Sequence, residues 1–327
     1  MLESAVFLCD STEMTADPFS DILQLTQAQS LVTGGFSAGG PWAVRFPAPD
    51  KIKFFAVVKG SCWVRLEGET EPLRFETGDV GLLSARRWSI LSSDLETEPV
   101  DAMDLFSRAG RSTAQLGNGE EFAHIGGHVL LDPVSGPLLL EVLPPWIHIQ
   151  ASSPQAVAFG LLLDQLVRER TAWQPGAHLA SAQLSQLLFI QILRAHLATA
   201  VPTNAGWLRA LGDARIAPAL RLMHSDPARA WHLEDLAKAC AMSRTTFACH
   251  FKAAAGVAPL SYLTDWRMRL AERALGDGAT PVSVVAQKLG YASESAFSHA
   301  FKRVTGTSPK AYRTALRSTS PEAGPDA

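Results

Sequence analysis

Metal-dependent oxidation or isomerisation inside a small β-barrel needs two or three histidines and a carboxylate converging on one ion. A close His-x-His pair followed by a glutamate after the first strands would supply them, and this 327-residue chain has none there. Lys53-Phe54-Phe55-Ala56 contains no histidine, and His124, His128 and His148 remain. On a strand, His124 and His128 share a face, so a metal site stays open beside the commoner outcome of surface or pocket histidines. No nucleophile–base pairing and no phosphate-cradling glycine loop is present. Cys9, Cys62, Cys240 and Cys249 share no short metal or redox spacing and read as reduced cytosolic thiols. The expectation is a protein that binds rather than catalyses, with no metal and no cofactor.

A second set of residues points to nucleic acid. Phe247, Phe251, Lys252, Gly256, Pro259 and Tyr262 recur 50 positions later as Phe297, Phe301, Lys302, Gly306, Pro309 and Tyr312. Leu236-Ala237 is echoed by Val285-Ala286, and Ala241-Met242-Ser243 by Gly290-Tyr291-Ala292-Ser293. Each copy reads as an apolar helix, a short turn and a second helix opened by Ser243 or Ser293, whose hydroxyl suits the helix N-cap. The phenylalanines at i, i+4 bury one side of the second helix. Residues 244, 245, 248, 249 and 252, and their counterparts 294, 295, 298, 299 and 302, fall on the open side. A helix-turn-helix offers such a helix to the DNA major groove, whereas a plain bundle would use it only for packing. Between the copies, Leu260 to Leu275 reads as one helix with Arg267, Arg269 and Arg273, able to hold two readers about one DNA turn, ~34 Å, apart.

Charge follows the same division. Residues 1–206 carry 13 basic and 22 acidic side chains, net −9, and residues 207–327 carry 16 and 10, net +6, within a whole-chain charge of −3. The near-neutral total therefore hides a basic third suited to a polyanion. From Thr33 to about Val142 short Val-, Phe-, Trp- and Leu-rich segments alternate with glycine-bearing turns, as in an antiparallel sandwich or barrel. Helices are expected over Ala156–Arg170 and about Leu179–Ala198, separated by Trp173-Gln174-Pro175-Gly176. The second is apolar on more than one side and needs covering by its own chain or a second subunit. Val201–Gly206 reads as a linker and Ser318–Ala327 as a disordered tail. No apolar run reaches the ~20 residues of a membrane helix. No basic stretch precedes an apolar one at the N-terminus, so a cytoplasmic protein without signal peptide or membrane partner is expected.

These residues carry a resemblance. Residues from about Arg215 to Arg317 are similar to the DNA-binding domain of the AraC/XylS transcription regulators, most specifically through Val285–Lys302 and Gly306–Arg313, with Trp266-Arg267-Met268 between. Gly60–Trp63, Thr77–Val80 and Gly126-Gly127-His128 resemble the cupin-like sensor of one subgroup. The resemblance implies an α+β multidomain protein: a cupin-like effector domain (1–150), a helical dimerisation segment and linker (151–206), an all-α double helix-turn-helix (207–317) and a tail (318–327). It implies that Thr245, Thr246, Ala248, Cys249, Glu294, Ser295, Ser298 and His299 face bases. Arg244, Lys252, Lys302, Arg303, Lys310 and Arg313 are then candidates for phosphate contacts.

Three positions depart from the pattern. Cys249 and His299 stand where many relatives have arginine, which grips guanine with two hydrogen bonds. Ala241 replaces the glycine usual in the first turn, at a cost on the order of 1 kcal/mol if the turn is left-handed. The barrel is expected to enclose a small organic effector between Phe36, Trp42, Phe54, Trp63, Trp88 and Trp146, with Arg45, His124 and His128 as polar handles. The reading is a homodimeric regulator of promoter or operator DNA controlled by that effector, with RNA polymerase as partner if it activates. The alternatives are a metal-dependent cupin enzyme fused to a DNA-binding domain and a constitutive regulator.

Overall fold

The computed structural model describes residues 17–84, 86–109, 113–154, 156–172, 174–199, 206–276 and 280–319. They form two compact units: residues 26–199, and residues 206–319 together with 17–25. Cys9, Trp173, most of the expected linker and residues 320–327 of the expected tail lie outside the described residues.

The first unit is built on strands β1 (Gln29–Ala38), β2 (Ala43–Phe46), β3 (Ile52–Lys59), β4 (Ser61–Leu66), β5 (Leu73–Glu76), β6 (Val80–Leu83), β7 (Ser89–Ser92), β8 (Val100–Asp101), β9 (Thr113–Leu116), β10 (Phe122–Leu130) and β11 (Trp146–Ile149). They pair in two sheets, β11-β6-β3-β10-β1-β9 and β5-β4-β7-β2-β8. All pairings are antiparallel except β1 with β9 and β2 with β8. Side chains alternate across the sheets because successive Cβ atoms point to opposite faces. In β4, Cys62, Val64 and Leu66 point inward, and they meet Phe36, Trp42, Val44, Val57, Phe75, Leu91 and Phe122 in one apolar cluster. Burial pushes the Cys62 thiol up to about 12, which leaves it an inert packing residue.

Two short helices interrupt the β region that the sequence reads as strands throughout. One is α2 (Ala102–Ala109), whose Met103 N–H donates to Asp101 Oδ1 at 2.7 Å, and the other is α3 (Pro137–Leu140). Helices α4 (Ala156–Thr171) and α5 (Ala177–Thr199) pack on each other, and α5 lies along β1, where Gln186 Oε1 accepts the Ser30 N–H at 2.9 Å. Much of the expected all-round covering of α5 thus comes from its own chain: Leu188, Phe189, Ile192 and Leu193 are fully buried.

The second unit contains α1 (Pro18–Leu25), α6 (Trp207–Gly212), α7 (Ala217–Ser225), α8 (Leu233–Ala239), α9 (Arg244–Ala255), α10 (Pro259–Gly276), α11 (Val282–Lys288), α12 (Glu294–Thr305) and α13 (Pro309–Thr319). The last helix runs two residues into the expected tail. Residues 17–25, expected within the first domain, pack here instead, α1 against α6 and α7. The 50-residue repeat is a structural repeat. The Phe247 and Phe251 rings meet tilted at 5.6 Å, Phe297 and Phe301 likewise at 5.7 Å, and Tyr262 and Tyr312 meet the second phenylalanine of each pair edge-on at 5.6 and 5.4 Å. All four phenylalanines are fully buried, each stabilising the unit by about 1.5–3 kcal/mol relative to exposure.

Candidate DNA-reading face and ligand cavity

Each second helix of the repeat is started and stopped by local chemistry. Ser243 Oγ accepts the Thr246 N–H and Ser293 Oγ the Ala296 N–H, both at 3.1 Å. Gly256 and Gly306 end the helices in the left-handed region, φ 82° and 79°. The phenylalanines hold one face down, so the other is left to solvent. Arg244, Thr245, Thr246, Cys249 and Lys252 are exposed and Ala248 half-buried on α9. On α12, Glu294, Ser295, His299, Lys302 and Arg303 are exposed and Ser298 half-buried, the same pattern at the same offsets. Thr246 also shares its hydroxyl with Ser243 Oγ at 2.8 Å, which ties it to the cap. Lys310 is exposed on α13, but Arg313 is half-buried and donates to the Thr280 carbonyl. That guanidinium holds α13 to the segment before α11.

The two helix-turn-helix units are tied to each other. Arg267 on α10 donates from Nε to the Pro227 carbonyl at 2.6 Å and from an Nη to that of Arg229 at 2.8 Å, and its guanidinium lies 5.7 Å from the centre of the Tyr291 ring. The loop it grips also abuts the second turn: a Cβ at Gly290 would stand 1.9 Å from the Ala228 carbonyl oxygen. Gly290 has φ 79°, and Ala241, at the equivalent place in the first turn, has φ 53°. The left-handed turn expected there is present, and the first repeat makes it with alanine. Further support for α9 comes from His250 Nε2, 2.8 Å from Asp213 Oδ2. Burial raises the Asp213 pKa, but hydrogen bonds from the Arg215 side chain and backbone and from His250 outweigh that and hold it at about 2.

A buried polar chain joins α1 to this unit, and no sequence signal revealed it. His224 on α7 is wholly inaccessible, its Nδ1 3.1 Å from Asp21 Oδ2 and its Nε2 2.8 Å from the Tyr262 hydroxyl. Burial lowers the His224 pKa against the opposing pull of Asp21, so the ring is neutral, with Nδ1–H donating to the carboxylate and Nε2 accepting from Tyr262. Trp266 stacks on the ring at 4.2 Å.

In the first unit a cavity of about 520 Å³ opens at one end of the barrel. Its wall includes Phe54 and Phe55 from β3, Leu91 from β7, Phe106 from α2, His124 from β10 and Trp146 from β11. Phe54, His124 and Trp146 were expected there. The other expected wall residues are placed elsewhere. Phe36 and Trp42 pack in the core, rings 5.2 Å apart, and Phe36 borders a second hollow of about 1150 Å³ between β1 and the α4–α5 connection. Trp63 lies on the outward phase of β4 beneath the Arg74 guanidinium. Arg45, outward on β2, covers Trp88 at 5.2 Å. His128, opposite Lys53 in the β10–β3 register, is half-buried and does not line the cavity. Phe55, Phe106 and the glycines Gly126 and Gly127 were missed as wall residues.

His148 has a structural task. Its Nε2 lies 3.0 Å from Asp79 Oδ2 and its ring stacks on Phe75 at 3.9 Å, while Asp79 Oδ1 accepts the Ala151 N–H at 2.7 Å. Among the described residues no three His, Cys, Asp or Glu side chains group in a way that could hold a metal ion, and no helix is long and apolar enough to cross a membrane.

A two-sheet barrel and a tandem helix-turn-helix on one chain define a DNA-binding regulator of the two-module kind. Comparison with known proteins narrows this. Residues 17–198 match the family described as Cupin, and residues 236–315 the one described as Helix-turn-helix domain. A putative AraC-like transcription regulator of Streptomyces antibioticus is 41% identical over 297 residues, which is 91% of this chain and 98% of that protein. The HTH-type transcriptional regulator AlkR of Acinetobacter baylyi is 32% identical over 289 residues, 84% of this chain and 91% of that one. Among solved structures, the DNA-binding domain of AdpA in complex with a target DNA matches at 33% identity over 34% of this chain and 99% of that one, TM-score 0.32. The chain belongs to the AraC-type transcription regulators that carry an N-terminal cupin domain.

Proposed function

We propose that this regulator reads DNA through α9 and α12 together, and that a small organic effector held at the mouth of its barrel controls that binding. The observation that carries the reading is the pair of exposed, identically patterned helices clamped to one rigid connecting helix, on a chain whose other unit holds an aromatic-walled cavity. An effector acts by binding two arrangements of the protein unequally. A thermal-shift screen of small organics, followed by gel shifts on upstream DNA, tests this. A compound that shifts both the melt and the DNA affinity supports it; DNA binding that ignores every stabilising compound favours constitutive regulation.

In this reading Thr245, Ala248, Cys249, Glu294, Ser295, Ser298 and His299 face bases, with Thr246 supporting the cap. Arg244, Lys252, Lys302, Arg303 and Lys310 meet phosphates. The second unit supplies the more polar readout, so Glu294→Ala or His299→Ala is expected to change a selected binding site more than Cys249→Ala. Lys302→Gln is expected to weaken all sequences alike and to flatten the salt dependence by about one unit of slope. A selection in which Cys249→Ala relaxes specificity most overturns the assignment.

Val157 and Leu161 on α4 and Leu179 and Leu187 on α5 remain exposed, an apolar set that a second copy of the chain would cover. The doubly substituted Leu161→Glu, Leu187→Glu protein is then expected to sediment as a monomer. Activation, with RNA polymerase as partner, and repression are distinguished by where the operator lies relative to the promoter.

A further inference from the structure

The barrel-mouth cavity is walled largely by Phe46, Phe55, Leu83, Leu91 and Trp146, whose indole N–H is buried without an acceptor. Among the polar residues that line the cavity, His124 is the buried one. Its ring is buried, with Phe36 edge-on at 4.4 Å and Phe122 near-parallel at 6.1 Å. Nδ1 accepts the backbone N–H of Phe36 at 3.3 Å. Burial lowers the pKa from 6.5 to about 4, so the imidazole is neutral, and a neutral ring that accepts at Nδ1 carries its proton on Nε2. Among the described residues Nε2 has no protein acceptor. Gly126, two residues on along the same strand face, leaves the space in front of it: a Cβ there would come no nearer than 3.7 Å to Nε2 and 3.6 Å to the Phe54 carbonyl.

Resting on the reading of this cavity as the effector site, we propose that the His124 Nε2–H is its polar anchor, and that the effector is a small, largely apolar, uncharged molecule with a hydrogen-bond acceptor such as a ketone or ester oxygen. A buried donor left unmatched disfavours pure hydrocarbon, and a cation or a second donor would oppose the N–H. A carboxylate at this depth would need a cation, which the neutral ring does not provide. At the rim, Lys53 is accompanied by Asp50.

The test uses the full chain and three probes of similar size: benzophenone, 1,1-diphenylethylene, which replaces the C=O by C=CH2, and 3-benzoylbenzoate. Calorimetric titration is expected to show benzophenone binding about tenfold more tightly than the alkene. In His124→Phe the two are expected to bind equally, while His124→Gln, which retains a donor, keeps part of the preference. Nitrogen-15 spectra of the histidines in the free protein are expected to show His124 as the Nε2–H tautomer at pH 7. Equal binding of ketone and alkene to the native protein, or an Nδ1–H or charged ring, overturns the anchor and leaves the cavity as an apolar site. Tighter binding of the benzoate overturns the uncharged class. Binding of none of the three overturns the effector-cavity reading itself.

Discussion

At the scale of single residues, Ala241 and Gly290 occupy the same turn position with opposite fitness. Alanine at φ 53° carries the steric cost of the left-handed region, and glycine would relieve it. Ala241→Gly is expected to raise stability by about 1 kcal/mol, less the extra freedom glycine gives the unfolded chain. Gly290→Ala meets the Ala228 carbonyl as well as the left-handed strain, so a loss above about 2 kcal/mol is expected in chemical denaturation. His124 sets a pH dependence whose sign is fixed by burial. Its folded pKa, about 4, lies below the ordinary 6.5, so between these values only the unfolded chain takes up the proton. The stabilisation is complete above pH 6.5 and is lost as the pH falls towards 4, with a slope of up to about 1.4 kcal/mol per pH unit. Subtracting the stability curve of His124→Phe from that of the native protein should isolate this slope; a flat difference between pH 4.5 and 7 would contradict it.

At the scale of elements, one side chain of the connecting helix α10 reaches both helix-turn-helix units. Arg267 grips the carbonyls of the loop before α8 and faces Tyr291 in the second turn, so both helix-turn-helix units are referred to one guanidinium. Lysine keeps the charge but not the fork that reaches two carbonyls. Both Arg267→Gln and Arg267→Lys are therefore expected to lower affinity for a correctly spaced two-half-site DNA by roughly tenfold, the equivalent of one lost charge-assisted hydrogen bond. They should also tolerate half-sites moved by one base pair better than the native protein does, with the far-ultraviolet spectrum unchanged. Unaltered spacing preference would mean that the packing of α10 on α11 and α12 alone sets the distance. Much of this level was legible in advance. The serine caps, the i, i+4 phenylalanines and the C-capping glycines act within a few residues, so each is readable from spacing. Helix α2 was not, because its one local sign, Asp101 before an amphipathic octet, lay inside a strand-rich context.

At the scale of the whole molecule, α1 precedes the barrel in sequence yet packs with the C-terminal helices. The contact rests on Asp21 and His224, 203 residues apart, with Tyr262 and Trp266 completing the enclosure. Asp21→Ala leaves the His224 Nδ1–H buried without its carboxylate, at an expected cost of about 1–3 kcal/mol. Hydrogen exchange on the full chain should then show protection lost in α1, α7 and the first turns of α10 while the β-strands keep theirs. A uniform change, or none, would show that α1 docks by apolar packing alone.

The amino-acid sequence by itself determined the two-module plan, the tandem helix-turn-helix units and the open faces of their second helices, because repeats, caps and charge asymmetry are local properties of the chain. Only the tertiary structure decided which aromatics border the cavity. The phase of a strand fixes which face a side chain takes, and that phase depends on long-range register and on the bulge where β1 steps past Thr33 between Val32 and Gly34. For that reason Trp63 and Arg45 turn outward, and the Phe55 ring faces the cavity while the Phe54 ring lies on the opposite face of the sheet beside Gly127. The same holds for α1 and for the tautomer of His124, each set by a partner far away in sequence whose approach no spacing rule encodes.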